Sequence, residues 1–310
     1  MQSNDNKLLS MIMGVAVGDA LGLPAQFYSR KTLDKYPLTK MVASEEGAAG
    51  TYSDDTAMTL CTLDSLVKNN WQLDLQDIMN GFINWLGFGY MAVDNKTIDV
   101  GIATRNAIQR AYDGIPLDEC GGKSEWDCGN GSLMRISPMI FYYSKHPEAD
   151  MIKNVGEVSA LTHAHERCKM CCYVYVKLGL SLLNNAGADK TKLVKTVMDD
   201  LQQELQAKFS VSEVKLLERL YNIDEFIKIS RDDIKSSGYV IDTLEASLWC
   251  FLTTDNFKNC ILKAVNLGDD ADTVAAIAGA LAGLYYGCDE IPKEWMDSLL
   301  GKENIYKLCC

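Results

Sequence analysis

Apolar residues recur at three- and four-residue spacing along most of this chain, while strict alternation is scarce, so the pattern predicts helices rather than strands. Leu8 to Leu21 reads as a buried helix interrupted by a single charge, Asp19. From Asp54 to Val67 the apolar positions Ala57, Met58, Leu60, Cys61, Leu63, Leu66 and Val67 make one helical face. The same spacing predicts helices over about 75–90, 98–113, 155–184, 190–207, 212–226, 240–253, 256–266, 272–286 and 293–301. Two long connections, roughly 22–52 and 114–133, interrupt the series, and loops of that length inside a compact domain usually serve function. The stretch Thr273 to Tyr286 is apolar on every side, which predicts a helix buried all round. Its small residues, from Ala275 to Gly283, let neighbouring helices approach closely. The expectation is an all-α fold, a single helical domain over residues 1–310, with Met11, Met13, Met58, Trp71, Trp85 and Trp249 in its core.

Composition narrows the function classes. Hydrophobic residues make up 47% of the chain, enough for a sizeable core. The net charge of −12 disfavours nucleic acid and anionic lipid as partners, since both need a basic face. No run is expected to reach the length needed to cross a bilayer, and no basic region with a cleavage site precedes the first apolar stretch. The 11 cysteines are therefore expected as thiols in a reducing, cytoplasmic setting.

Two acidic clusters carry the chemistry. Ser53-Asp54-Asp55-Thr56 stands at a predicted helix start, where capping would explain one or two of its members. Gly268-Asp269-Asp270-Ala271-Asp272-Thr273 repeats that chemistry before the buried apolar helix. Three carboxylates in four residues repel one another in a low-dielectric setting, and a cation resolves the conflict. Asp and Thr oxygens are hard ligands suited to Mg²⁺ or Mn²⁺. Alone, each cluster reads equally as cap or ligand; the pair favours metal binding.

Other motifs carry less. Gly129-Asn130-Gly131-Ser132 offers backbone N–H groups to phosphate or sugar oxygens, but alone it reads as a turn. Gly122-Lys123-Ser124 lacks the upstream glycine of a phosphate loop, Leu117 standing in its place. Thr162-His163-Ala164-His165-Glu166 reads as part of a helix, and His165, Cys168 and Cys171 as one packed face rather than a zinc site.

Taken in order, Gly18-Asp19-Ala20-Leu21-Gly22, Ser53-Asp54-Asp55-Thr56, Gly129-Asn130-Gly131-Ser132-Leu133-Met134-Arg135, Thr162-His163 and Gly268-Asp269-Asp270-Ala271-Asp272-Thr273 resemble the ADP-ribosylglycohydrolase family over about residues 8–300. The resemblance implies a single orthogonal helical bundle with a metal-centred cleft. Ser53, Asp54, Asp55, Asp270, Asp272 and Thr273 would hold two divalent cations, Mg²⁺ or Mn²⁺. Gly129, Asn130, Gly131, Ser132, Met134, His163, Gly238 and Tyr239 would contact ADP-ribose. Gln26, Asp54, Asp55, Asp99 and Asp270 would serve catalysis. The implied activity is metal-dependent hydrolysis at ribose C1″, releasing ADP-ribose from a modified side chain, arginine foremost, by a monomer acting on ADP-ribosylated protein. One position departs from the family pattern, which places Glu where this chain has Gln26. Glutamine donates and accepts hydrogen bonds but takes no proton. Either another carboxylate such as Asp99 serves, or the protein is an ADP-ribose binder with impaired catalysis.

Overall fold

The computed structural model describes residues 4–310; Met1–Ser3, at the start of the expected domain, lie outside the described residues. Seventeen α-helices follow one another, and among the described residues no β-strand occurs, only isolated bridges between Gly122 and His163 and between Gly129 and Tyr239. The first third runs α1 (Asn4–Gly22), α2 (Arg30–Lys35), α3 (Asp54–Lys68), α4 (Leu75–Phe88), α5 (Ile102–Tyr112) and α6 (Leu117–Cys120). The middle runs α7 (Pro138–Lys145), α8 (Met151–Ala160), α9 (Glu166–Asn184), α10 (Lys190–Lys208), α11 (Val211–Lys215) and α12 (Ile223–Phe226). The last third runs α13 (Val240–Leu252), α14 (Phe257–Val265), α15 (Ala271–Tyr286), α16 (Lys293–Ser298) and α17 (Lys302–Cys309).

Periodicity located most of these and erred where it ran through a break. The expected helix over 155–184 is two, α8 and α9, and Thr162–His165 form the turn between them rather than part of a helix. The expected helix over 212–226 is α11 and α12 with a 3₁₀ turn between. Helices α7 and α17 were not anticipated, and α2 and α6 divide the two long connections. Met11, Met13, Met58, Trp85 and Trp249 are buried as expected, whereas Trp71 is only partly covered, with the Lys145 ammonium 4.9 Å above its ring.

At the centre, α15 is buried from Ala271 to Leu284, with α1, α3, α9, α13 and α14 packed around it. Its closest partner is α1. A Cβ on Gly14 would fall 2.1 Å from the Gly279 carbonyl oxygen, one on Gly18 2.1 Å from that of Ala275, and one on Gly22 2.4 Å from Cα of Asp272. Spaced by four, these glycines share one face of α1, so the two backbones meet without side chains between them. Each glycine costs a helix interior roughly 0.5–1 kcal/mol against alanine, so the seam persists only because close packing returns more. This buried partnership corrects the expectation that no run reaches bilayer length. Asn6–Ala25 is long and apolar enough by composition, but 89% of it is covered by the rest of the fold.

The seam generates a paired prediction. Gly14→Ala should destabilise the protein by about 1–3 kcal/mol through overpacking. Gly87→Ala, in α4 with nothing within 4 Å of the new methyl, should instead stabilise by roughly 0.5–1 kcal/mol. Guanidinium unfolding of the two variants checks both signs, and equal effects would refute the seam.

Candidate active site

The carboxylate cluster sits where the glycine seam ends. Gly22 closes α1 against the Asp272 backbone, and Asp19, one turn earlier, is fully buried beside the start of α3. Its carboxylate accepts from the Ser53 amide (2.9 and 3.0 Å), the Thr56 amide (3.0 Å) and the Thr56 hydroxyl (2.6 Å). Asp19 thus does for α3 what an N-cap would do, from a different helix. Ser53 does not cap α3 and Asp270 does not cap α15. The capping reading of both clusters therefore fails. Ser53 Oγ donates to Asp55 Oδ2 (3.2 Å), as does Thr273 Oγ1 (3.3 Å), while Asp270 Oδ2 accepts from Asn130 Nδ2 (2.5 Å).

What remains is a set of oxygens with no donor. Asp55 Oδ1 and both carboxylate oxygens of Asp272 are buried without a hydrogen-bond partner among the described residues. One oxygen each from Asp19, Asp55 and Asp272 lie within 4.8 Å of one another. Asp19 spends both oxygens on α3, so we assign it to positioning and leave Asp55 and Asp272 as the free acceptors. Asp99 and Asp270 lie within hydrogen-bonding reach of Asp272, an arrangement two carboxylates cannot satisfy without a proton or cation between them. Burial pushes Asp54, Asp55 and Asp272 well above the usual carboxylate range, and the charges acting most strongly on them are other carboxylates. Asp99 and Asp270 are raised in the same direction, again chiefly by burial. The donor set is hard oxygen throughout and fits Mg²⁺ or Mn²⁺.

The third acid of the late cluster leaves the group. Asp269, at φ 55°, turns back to pair with the loop after α1: its amide donates to the Tyr28 carbonyl (2.9 Å) and its carbonyl accepts from the Phe27 amide (2.6 Å). Gly268 needs its φ of 77° there, since a Cβ would strike the Tyr28 carbonyl at 2.5 Å. Arg30 stitches this corner by donating to the carbonyls of Leu267 (3.0 Å) and Ile234 (2.7 Å).

Above the cluster opens a cleft of about 260 Å³, lined by Gln26, Asp54, Asp99, Gly129, Asn130, Gly131, Met134, His163, Asp270 and Thr273, among others. Gln26 Nε2 donates to Asp99 Oδ2 at 2.5 Å. The Asn130 amide donates to the Gly238 carbonyl (3.0 Å), and a Cβ on Gly238 would stand 3.2 Å from Asp270 Oδ2, so the 238–239 segment braces the wall. Ser132 departs from expectation. It is buried beneath the loop, accepting from Ser159 Oγ (2.9 Å) and paired with the Cys172 thiol (3.5 Å). His165 caps α9 by accepting from the Arg167 amide (3.1 Å), and the Cys168 thiol donates to the Gly129 carbonyl (3.6 Å). All 11 cysteines are free thiols.

Sequence reasoning gave Asp19 no role, although it stood as a charge inside an apolar run and within the first of the ordered motifs. It also missed the apolar rim, where Phe27, Ile102 and Trp126 line the cleft while 77%, 81% and 98% exposed. A larger cavity of about 480 Å³ lies elsewhere, beside Ile152, Gly156 and Lys169, but it brings no carboxylate cluster with it.

Comparison with known proteins places the chain in a family. The family model described as ADP-ribosylglycohydrolase matches residues 1–309. The chain is 34% identical over 302 residues to "ADP-ribosylarginine hydrolase Tri1" of Pseudomonas putida (strain GB-1), covering 96% of this chain and 75% of that one. It is 29% identical over 299 residues to "ADP-ribosyl-[dinitrogen reductase] glycohydrolase" of Rhodospirillum rubrum, covering 95% and 90%. A solved structure titled "ADP-ribosylglycohydrolase-related protein complex" superposes with a TM-score of 0.78 at 27% identity, covering 100% of this chain and 97% of that one.

The crowded carboxylates make stability depend on pH. A group whose folded-state pKa is raised stabilises fully below its unfolded value, and that stability is lost as pH rises through the folded value. For Asp19 the window runs from the ordinary 3.8 to about 6. With chelator present, the thermal midpoint should fall between about pH 4 and pH 6, and Mg²⁺ or Mn²⁺ should raise it at pH 7. Asp272→Asn should raise the chelated midpoint and remove the metal-induced gain. A lowered chelated midpoint would show that the cluster is not under electrostatic strain. The chain belongs to the ADP-ribosylglycohydrolase family, a family of hydrolases.

Proposed function

We propose that this protein is a metal-dependent hydrolase that removes ADP-ribose from modified arginine side chains by cleaving the bond at ribose C1″. The observation that carries the reading is the set of buried, donorless oxygens on Asp55 and Asp272, next to a cleft that Asp54, Asp270 and Thr273 line. Arginine as the acceptor is supported by relatives named for ADP-ribosylarginine.

Asp55 and Asp272, with Ser53, Asp54, Asp270 and Thr273 around them, would hold the divalent cations, which when bound supply positive charge that fixes ribose hydroxyls and acidifies water. The chain's own groups do the rest. Asn130, held by Asp270 and by Thr243 Oγ1 (3.0 Å), orients the wall against which the ligand lies. The exposed rings of Phe27 and Trp126 give the base a stacking face at the rim. As the C1″–nitrogen bond breaks, positive charge grows at C1″, and the carboxylates of Asp54 and Asp270 face that charge. Asp99 suits the role of proton acceptor. Burial raises its affinity for a proton, and the Gln26 amide, by donating to Oδ2, holds the carboxyl at the cleft wall, where it can take the proton from attacking water.

A second reading, an ADP-ribose binder, has Gln26 in its favour. The two separate on turnover. Purified protein with arginine-ADP-ribosylated substrate and Mg²⁺ should release ADP-ribose, and a chelator should stop it; no release alongside ADP-ribose binding would leave the binder. Asp99→Asn should lower kcat by about 10²-fold or more with little change in KM, the size expected for loss of general acid–base catalysis. Gln26→Glu should bring no gain, because it sets a second carboxylate against Asp99 in place of a donor. A marked gain would return the proton-accepting role to position 26.

A further inference from the structure

Arg135 has no contact with solvent, and no carboxylate among the described residues bonds to it. Its guanidinium lies 4.6 Å from the centroid of the Phe82 ring. Nη2 donates to the Val158 carbonyl (3.1 Å) and to Thr162 Oγ1 (2.8 Å), while Nε and Nη1 have no partner. Burial lowers its pKa to about 10, so it keeps its charge at neutral pH. A buried cation without an anion is costly, and the cost asks for a use.

The next contact supplies one. His163 Nδ1 lies 2.8 Å from Thr162 Oγ1. A guanidinium only donates, so Thr162 Oγ1 is already an acceptor, and its own hydrogen has the His163 Nδ1 lone pair in reach. With that hydrogen on Nδ1, the chain of donors runs Arg135 to Thr162 to His163, and the imidazole proton sits on Nε2. That edge of the ring lies against the ligand loop: a Cβ on Gly131 would fall 2.6 Å from Cε1 and 3.2 Å from Nε2, and one on Gly129 3.5 Å from Nε2. His163 lines the cleft, and among the described residues no hydrogen bond takes up its Nε2.

We propose that Arg135 and Thr162 are positioning residues that lock neutral His163 with its proton on Nε2, as a fixed hydrogen-bond donor to an anionic oxygen of the diphosphate class. The buried guanidinium behind it adds positive potential at this end of the cleft, opposite in sign to the carboxylate floor. Burial first and then the Arg135 charge hold His163 down to about 3, so the ring stays neutral over the working range. The ligand part of this proposal rests on the ADP-ribosyl hydrolase reading; the tautomer part does not.

The chain has only 3 histidines, so ¹⁵N-histidine labelling resolves the ring nitrogens of each. Long-range ¹H–¹⁵N spectra of the intact protein at neutral pH should show His163 with an unprotonated Nδ1 and a protonated Nε2. Thr162→Val should mix the two tautomers and weaken ADP binding, measured by calorimetry, by about twofold for an even mixture, in proportion to the rings that lose the Nε2 proton. Thr162→Ser should restore both, and Arg135→Met should act as Thr162→Val does. Should Arg135→Met not fold, the two Thr162 variants carry the test. A wild-type His163 that is charged or protonated on Nδ1 overturns the proposal, as does a Thr162→Val protein with unchanged tautomer and unchanged ADP affinity. Wild-type protein that binds no ADP but shows the Nε2–H ring would sink the ligand assignment and the hydrolase reading while upholding the relay.

Discussion

Between Gly14 and Gly22 the backbone of α1 lies directly on that of α15, and the placement of the charged groups follows from this contact. Because no side chain separates the helices, the end of α1 is held against the Asp272 backbone. Asp19, fixed on α1, then reaches the start of α3 and supplies the acceptor that α3 lacks locally. One seam between two helices thus sets the position of a third. Ser53 and Asp55 arrive on that third helix, and Asp270, Asp272 and Thr273 arrive on α15, already facing one another. A methyl group in the seam would push these sets apart, which is why the glycines matter to the site and not only to packing.

The site so assembled is polarised. On one side, buried carboxylates raise one another's proton affinity, and Asp55 and Asp272 keep oxygens that nothing among the described residues satisfies. At the other side, beneath the Gly129–Gly131 loop, stands a buried guanidinium with no anion. Either feature alone would be an expensive fault in a protein interior. On the reading proposed here, together they suit a ligand that offers metal-binding hydroxyls at one end and negative oxygens at the other.

Much of this was legible in the sequence, and the failures have physical causes. Helical spacing revealed α1, α3, α9, α13 and α15 because each buries a long apolar face or, for α15, its whole surface. The break after Ala160 was invisible because Leu161, Thr162 and His163 are buried like the helices on either side, so periodicity ran straight through the turn. The acidic clusters stood out as chemistry, but their partition did not. Asp269 belongs to a backbone turn with Phe27 and Tyr28, and only the left-handed conformation at Gly268 and Asp269 separates it from Asp270. Asp19 carried no local sign of its partner because the groups it bonds lie 34 and 37 positions away. Ser132 looked like a ligand contact by motif; its hydroxyl instead joins Ser159 and Cys172 beneath the loop.

The corner around Gln26 shows how one substitution can be absorbed. Phe27, Asp99 and Asp269 all hold left-handed backbone at φ 63°, 51° and 55°, each a strain of ~1–3 kcal/mol that ordinary loops avoid. The strain turns Asp99 toward both Gln26 and the cluster. A glutamate at position 26 would meet Asp99 carboxylate to carboxylate, and the pair would have to share a proton or separate. Glutamine removes that conflict, because its amide donates to Asp99 Oδ2 at 2.5 Å and fixes the carboxyl. The exchange takes a titrating group from one side of the contact and concentrates the proton-accepting capacity on the other. On the reading proposed here, Asp99 is the proton acceptor, and the Gln26 amide fixes its carboxyl for that role.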